Sequence, residues 1–170
     1  MNNHEIIETS ATIKRLSALF SDSFDITDKS NIHKPYYFSV ITEILIHLKD
    51  ITQKLKKLGC GIYFRDNIPA AEIHNDITAL VSHFRDAACH NNSLRRRTKK
   101  DILYANNVFA GFDFEDEITI LMGDSKLFVK RHLLRLYIEI LKKYLEYPVF
   151  QKNKDFVITI NFEKLMGHLS

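Results

Sequence analysis

Apolar residues recur along this chain at intervals of three and four, the spacing that gathers side chains onto one side of an α-helix. Ile6, Ile13, Leu16 and Phe20 define a first helix, which Ser21-Asp22-Ser23 ends. After the polar connection Asp28-Lys29-Ser30-Asn31, Pro35 suits a helix's first turn. Tyr37, Ile41, Ile44, Leu48, Ile51, Leu55 and Leu58 then carry a long second stripe, stopped by Gly59 and Gly61. A third helix is predicted to begin near Pro69, because Ile73, Ile77, Leu80, Val81, Phe84 and Ala88 share a narrow sector at about 100° per residue. Asn91-Asn92-Ser93 supplies its stop.

From Phe112 the period changes. Ile118-Thr119-Ile120-Leu121-Met122 and Leu127-Phe128-Val129 flank Gly123-Asp124-Ser125, which predicts a β-hairpin insertion over residues 112–129. Leu133, Leu134, Tyr137, Ile140, Leu141, Tyr144 and Leu145 rebuild a helical stripe that Pro148 terminates. The tail, residues 156–162, alternates like a strand and would lie beside the hairpin. The expectation is a single domain over residues 1–170, mainly α, with a small β-element near the C-terminal helix.

At 45% hydrophobic and 26% charged residues, with 5 Gly and 3 Pro in 170 residues, the composition fits a chain that buries a real core and excludes a disordered or fibrous one. The start, Met1-Asn2-Asn3-His4-Glu5, has no basic region followed by an apolar run, and no stretch approaches bilayer length, so a cytoplasmic protein without membrane contact is expected. Cys60 and Cys89 lack the paired spacing of a zinc site and read as reduced core or helix-end cysteines. The tyrosines and phenylalanines fall mostly on the stripes and read as core.

Candidate chemistry concentrates where the third helix runs out, in Arg85-Asp86-Ala87-Ala88-Cys89-His90-Asn91. A guanidinium stays charged and can only position and neutralise a phosphate, whereas an imidazole titrates near neutrality and can carry protons. Asp86 and His90 stand one turn apart, a spacing at which a carboxylate can hydrogen-bond the ring and fix its tautomer. Arg85 and His90 lie about 140° apart around an ideal helix, so one continuous helix would not aim both at one phosphate. Either the helix unwinds before His90, or two copies of the motif meet across a two-fold axis.

Arg85, Asp86, the small residues Ala87-Ala88-Cys89 and His90 together resemble the signature of the HEPN family of ribonucleases and toxins, in which an arginine, a polar residue, a few small residues and a histidine close a helix. The resemblance covers this motif and a coarse helical layout. It implies an up-and-down helical bundle, a homodimer whose Arg85 and His90 pairs line a shared cleft, and RNA as substrate. It further implies cofactor-free, metal-independent cleavage in which the 2′-hydroxyl attacks the neighbouring phosphorus. His90 would be general base or acid, Arg85 would stabilise phosphoryl charge and Asp86 would orient the histidine. Many such proteins are toxins or antiviral effectors with a neutralising antitoxin. Some carry a modifiable tyrosine two residues beyond the histidine, where this chain has Asn92.

The formal net charge is +3, but Arg95-Arg96-Arg97-Thr98-Lys99-Lys100 follows the motif directly. Arg95, Arg96, Arg97, Lys99 and Lys100 are therefore the candidate contacts to flanking phosphates, set against the simpler reading of a solvated loop. His83, His47 and His74 read as surface or structural residues. Competing readings make His90 a plain helix C-cap, or the whole fold a non-catalytic nucleic-acid or protein binding module. The chain has no glycine-rich phosphate loop and no His-Glu-x-x-His motif.

Overall fold

The second stripe becomes a helix, α2 (Tyr37–Lys57), that buries Tyr37, Ile41, Ile44, Leu45, Leu48, Ile51 and Leu55 and forms the spine of the fold. The computed structural model describes residues 3–21, 25–65, 76–90, 94, 107–110, 117–123 and 125–146. Against α2 pack α1 (Asn3–Ser21) on one side and α3 (Ile77–Cys89) on the other. Pro35 stands in the turn before α2 rather than inside it, because Tyr36 is the N-cap and the Tyr37 N–H already bonds the Lys34 carbonyl at 3.0 Å.

The end of α2 follows from one glycine. Gly59 has φ +75°, a left-handed geometry that suits a residue without Cβ. It lets the N–H groups of Gly59 and Cys60 turn back onto the carbonyls of Lys56 and Leu55, at 3.1 and 2.9 Å, which closes the helix with paired backbone groups. Gly61 ends no helix; it follows the turn at Leu58 and Gly59.

The third helix starts at Ile77. Asp76 is extended, with φ −163° and ψ 177°, and its carboxylate accepts from the N–H groups of Thr78 and Ala79, so the capped helix begins there and not near Pro69. Ile77, Leu80, Val81, Phe84 and Ala87 are its buried residues, whereas Ala88 is only partly buried.

The β-element is a three-stranded antiparallel sheet in the order β1 (Asn107–Ala110), β2 (Ile118–Met122), β3 (Ser125–Phe128). The β2–β3 hairpin turns over Gly123, at φ +59°, with Met122 opposite Ser125. β1, which the pattern did not predict, adds to β2 with Ala110 opposite Ile118. A π-helical stretch (Val129–Leu134) leads from β3 directly into α4 (Arg135–Glu146). Its entry is held by Glu117, whose buried carboxylate accepts from the Arg131 N–H at 2.8 Å and from Arg131 Nε at 2.6 Å. The fold is thus mainly helical, with a small sheet beside its C-terminal helix.

One apolar cluster joins side chains of all four α-helices, β2 and β3. Its tyrosines are anchored by their polar tips. Tyr37 donates to the Ile26 carbonyl at 2.6 Å, and the hydroxyls of Tyr137 and Tyr144 meet Ser17 and Ser10 on α1 at 2.6 and 2.8 Å. Tyr137 also stacks on Phe20 with centroids 4.5 Å apart. These contacts fix α4 against α1. No helix among the described residues is long and apolar enough to cross a membrane. Residues 156–162 and Pro148 lie outside the described residues.

Candidate functional site

On α3, Thr78, Ser82, Arg85 and Cys89 stand at intervals of four, three and four, which puts them along one flank. On α2, Ile46, Lys49, Gln53 and Lys56 stand at intervals of three, four and three, which also puts them along one flank. The two rows face each other across open grooves at the α2/α3 seam, and Arg85 and Cys89 line the groove of about 330 Å³ at one end of it.

Arg85 is held in place within this groove. Its Nη1 lies 2.9 Å from the Asp86 carboxylate, which also accepts from Lys49 Nζ at 3.1 Å across the helix interface. The three side chains are 29%, 23% and 15% exposed, so the carboxylate sits between two partly desolvated cations while the guanidinium stays reachable from solvent. One arm of the fork, Nη1, faces Asp86, and a guanidinium carries five N–H donors of a kind that suit a phosphate.

His90 occupies the C-cap of α3. Its backbone is extended, at φ −124° and ψ 104°, its N–H bonds the Asp86 carbonyl at 3.2 Å, and the residue is exposed. The helix ends before His90, and the groove beside Arg85 is lined by Ile46, Lys49, Asp50, Gln53, Arg85 and Cys89. The structure brings Arg85 and Asp86 together, whereas His90 is not among the residues that line the groove at Arg85. Asp86 and His90 meet through the backbone, and the Asp86 carboxylate is directed to Lys49 and Arg85 instead of the ring.

Lys49 is the residue that sequence reasoning missed. Its position on the flank of the α2 stripe was legible, but which flank α3 covers was not. The basic residues Arg95, Arg96, Arg97, Lys99 and Lys100 lie outside the described residues, as does His74. His83 is half-buried with its ring edge-on to Phe84, and His47 stands 3.7 Å from Glu43 on α2. Cys60 and Cys89 are both free thiols, the second exposed as the last residue of α3. Among the described residues, no group of three or more His, Cys, Asp or Glu side chains converges as a metal site requires.

At the far end of the seam, Asp76 lines the second groove, of about 300 Å³. Burial pulls its pKa up, but hydrogen bonds from the Thr78 hydroxyl and the Ala79 and Thr78 N–H groups, with the charge of Lys56, outweigh that and hold the carboxyl below the usual range. Its charge is thereby directed to capping its own helix. Comparison of the chain with protein-family models, curated proteins and solved structures finds no match.

Proposed function

We propose that this protein is a metal-independent endoribonuclease that acts in the cytoplasm as a homodimer, in the manner of a toxin or antiviral effector held in check by an antitoxin. The observation that supports this reading best is the end of α3. Arg85 presents a partly exposed guanidinium in an open groove, already oriented by Asp86 and backed by Lys49, and five residues later His90 leaves the helix into solvent. Within one chain His90 is not among the residues lining the groove at Arg85. A two-fold axis close to the ends of two α3 helices would bring both pairs to one RNA backbone, because an isologous contact presents the same residues twice.

In such a cleft one His90 takes the proton of the 2′-hydroxyl as its oxygen attacks the adjacent phosphorus. The bond from phosphorus to the 5′-oxygen breaks, and the partner's His90, as imidazolium, protonates the leaving oxygen. The products are a 2′,3′-cyclic phosphate and a free 5′-hydroxyl. The guanidinium of Arg85 stabilises the charge that builds on the non-bridging oxygens. Dependence on the 2′-hydroxyl makes RNA, not DNA, the substrate. Arg95, Arg96, Arg97, Lys99 and Lys100 hold flanking phosphates in this reading.

A second reading, a helical module that binds RNA or protein without cleaving, is favoured by the direction of the Asp86 carboxylate, which faces Lys49 and Arg85 and so leaves the His90 ring without that orienting group. The separating experiment is incubation of total RNA and tRNA with purified protein in excess EDTA, beside His90→Ala, with the new ends mapped. Cyclic phosphates from the wild type alone support the nuclease. No cleavage by either protein across several RNAs supports the binding module.

A further inference from the structure

Three open grooves run end to end across one side of the described structure. The groove beside Arg85 shares Lys49 and Gln53 with the next one along the α2/α3 seam. That one shares Gly61, Ile62 and Tyr63 with a third, of about 360 Å³, which reaches Arg135 and Lys143 on α4. From Ile46 to Lys56 alone the track follows about 15 Å of helix, at 1.5 Å per residue. That is the reach of roughly two to four nucleotides, at ~3.4 Å each when stacked and about twice that when extended.

Tyr63 stands where the second and third grooves meet and is 59% exposed. An exposed aromatic of this size has little reason to be there as core. Its ring lies against Gly61: a Cβ there would come within 2.6 Å of the Tyr63 ring and hydroxyl, so the ring rests directly on the glycine backbone. Beyond it the Arg135 guanidinium lies over the Phe64 ring at 4.2 Å, a second flat cationic surface on the same track. The acidic residues beside the track have neighbours of their own. Asp50 pairs with Lys54 at 2.8 Å, Glu139 with Lys142 at 2.8 Å, and Asp76 caps α3.

We propose that this band of grooves is the track of a single RNA strand, with Tyr63 stacking one base away from the phosphate held at Arg85. The inference rests on the ribonuclease reading for the identity of the strand and adds to it a base-binding position. An aromatic ring accepts any base, so the contact confers affinity with little sequence preference. Because cations and carboxylates alternate along the track, stacking sets much of the affinity, and the contribution of Tyr63 persists at raised salt, where phosphate contacts weaken.

The test is fluorescence anisotropy with a short fluorescein-labelled oligouridine carrying 2′-O-methyl sugars, which can bind but cannot be cut. Tyr63→Ala is expected to weaken binding about ten-fold at low and raised salt alike, and Tyr63→Phe to bind as the wild type does. Gly61→Ala, which keeps the ring but displaces it, should also weaken binding while circular dichroism stays unchanged. Wild-type affinity in Tyr63→Ala, or no binding of this probe by the wild-type protein, overturns the track. If His90-dependent cleavage exists but Tyr63→Ala binds normally, the track fails and the nuclease stands. If the Tyr63 effect is seen without any cleavage in EDTA, the track stands and the nuclease reading fails.

Discussion

Lys49 on α2 donates from Nζ to Oδ1 of Asp86 on α3 at 3.1 Å, an ion pair that ties the two helices together beside Arg85. Asp86 therefore has a structural task as well as a place in the motif. It neutralises two cations that would otherwise repel each other across the seam.

Removing that carboxylate is expected to cost more than removing one of its partners. Asp86→Asn leaves Lys49 and Arg85 partly buried without a counter-charge and should lower stability by about 2 kcal/mol, between the values for exposed and buried pairs. Lys49→Met leaves Arg85 on Asp86 and keeps an apolar stem, so about 0.5 kcal/mol is expected. Urea denaturation of both variants checks the order, and a larger loss for Lys49→Met would show that the pair does not hold the seam.

Arg85→Ala and His90→Ala should each reduce cleavage by about 10²- to 10⁴-fold. Both should still fold and dimerise, since Arg85 is partly exposed and His90 is exposed. Mixing the two inactive proteins gives heterodimers with one Arg85 and one His90 on opposite chains. Because the proposed mechanism uses one His90 as base and the partner's as acid, the isolated heterodimer, with a single His90, is expected to stay inactive; recovered activity would mean that one copy of each residue suffices.

The cap of α3 makes stability pH-dependent. The Asp76 carboxyl is held below its usual pKa in the folded protein, so its contribution is present above the unfolded carboxylate value, near 4, and is lost as pH falls through the lower folded value. Asp76→Ala should cost about 1 kcal/mol at neutral pH. Asp76→Asn should retain part of the cap while flattening the acid limb, a difference that thermal melts between neutral and acidic pH will read.

An alkaline limb is expected from Tyr137. Burial pushes its pKa up to about 12, and the hydrogen bond to Ser17 offsets only part of that rise. A raised folded value means the contribution is complete below the unfolded pKa, about 10, and disappears as pH climbs through the folded value. Tyr137→Phe should reduce this limb, leaving the part due to Tyr37, whose pKa burial also raises, while costing about 1 kcal/mol for the lost hydrogen bond to Ser17. Denaturant midpoints on either side of that window provide the check.

Glu117 should be the most sensitive polar residue of the sheet–helix junction. It is 7% exposed and satisfies both the backbone and the side chain of Arg131, whose guanidinium also lies 4.4 Å from the Phe128 ring centroid. Glu117→Ala would leave that guanidinium and N–H without the carboxylate, at a cost of about 3 kcal/mol. The loss should exceed that of any exposed ion pair, such as Lys142 with Glu139, in the same denaturation assay.

Helical periodicity was enough to place α1, α2, α3 and α4 and most of the core, because burial along an amphipathic helix follows the 3.6-residue repeat. Two boundaries moved for local reasons. Asp76 is a stronger helix start than the apolar pattern running back towards Pro69, and Tyr36 takes the cap that would have put Pro35 inside α2. β1 was not legible, since four residues hold too little alternation to declare a strand until β2 is there to pair with them.

The sequence alone determined that Arg85, Asp86 and His90 gather at a helix end, since a fixed spacing on a helix dictates their angular positions. Only the tertiary structure decided which of them meet. The packing of α3 on α2 sets Lys49 against Asp86, beside Arg85 on the same carboxylate, and it aligns the rows that form the grooves leading to Tyr63. Those relationships join residues on separate helices, whose mutual rotation is fixed by core packing and cannot be read from the periodicity of either helix.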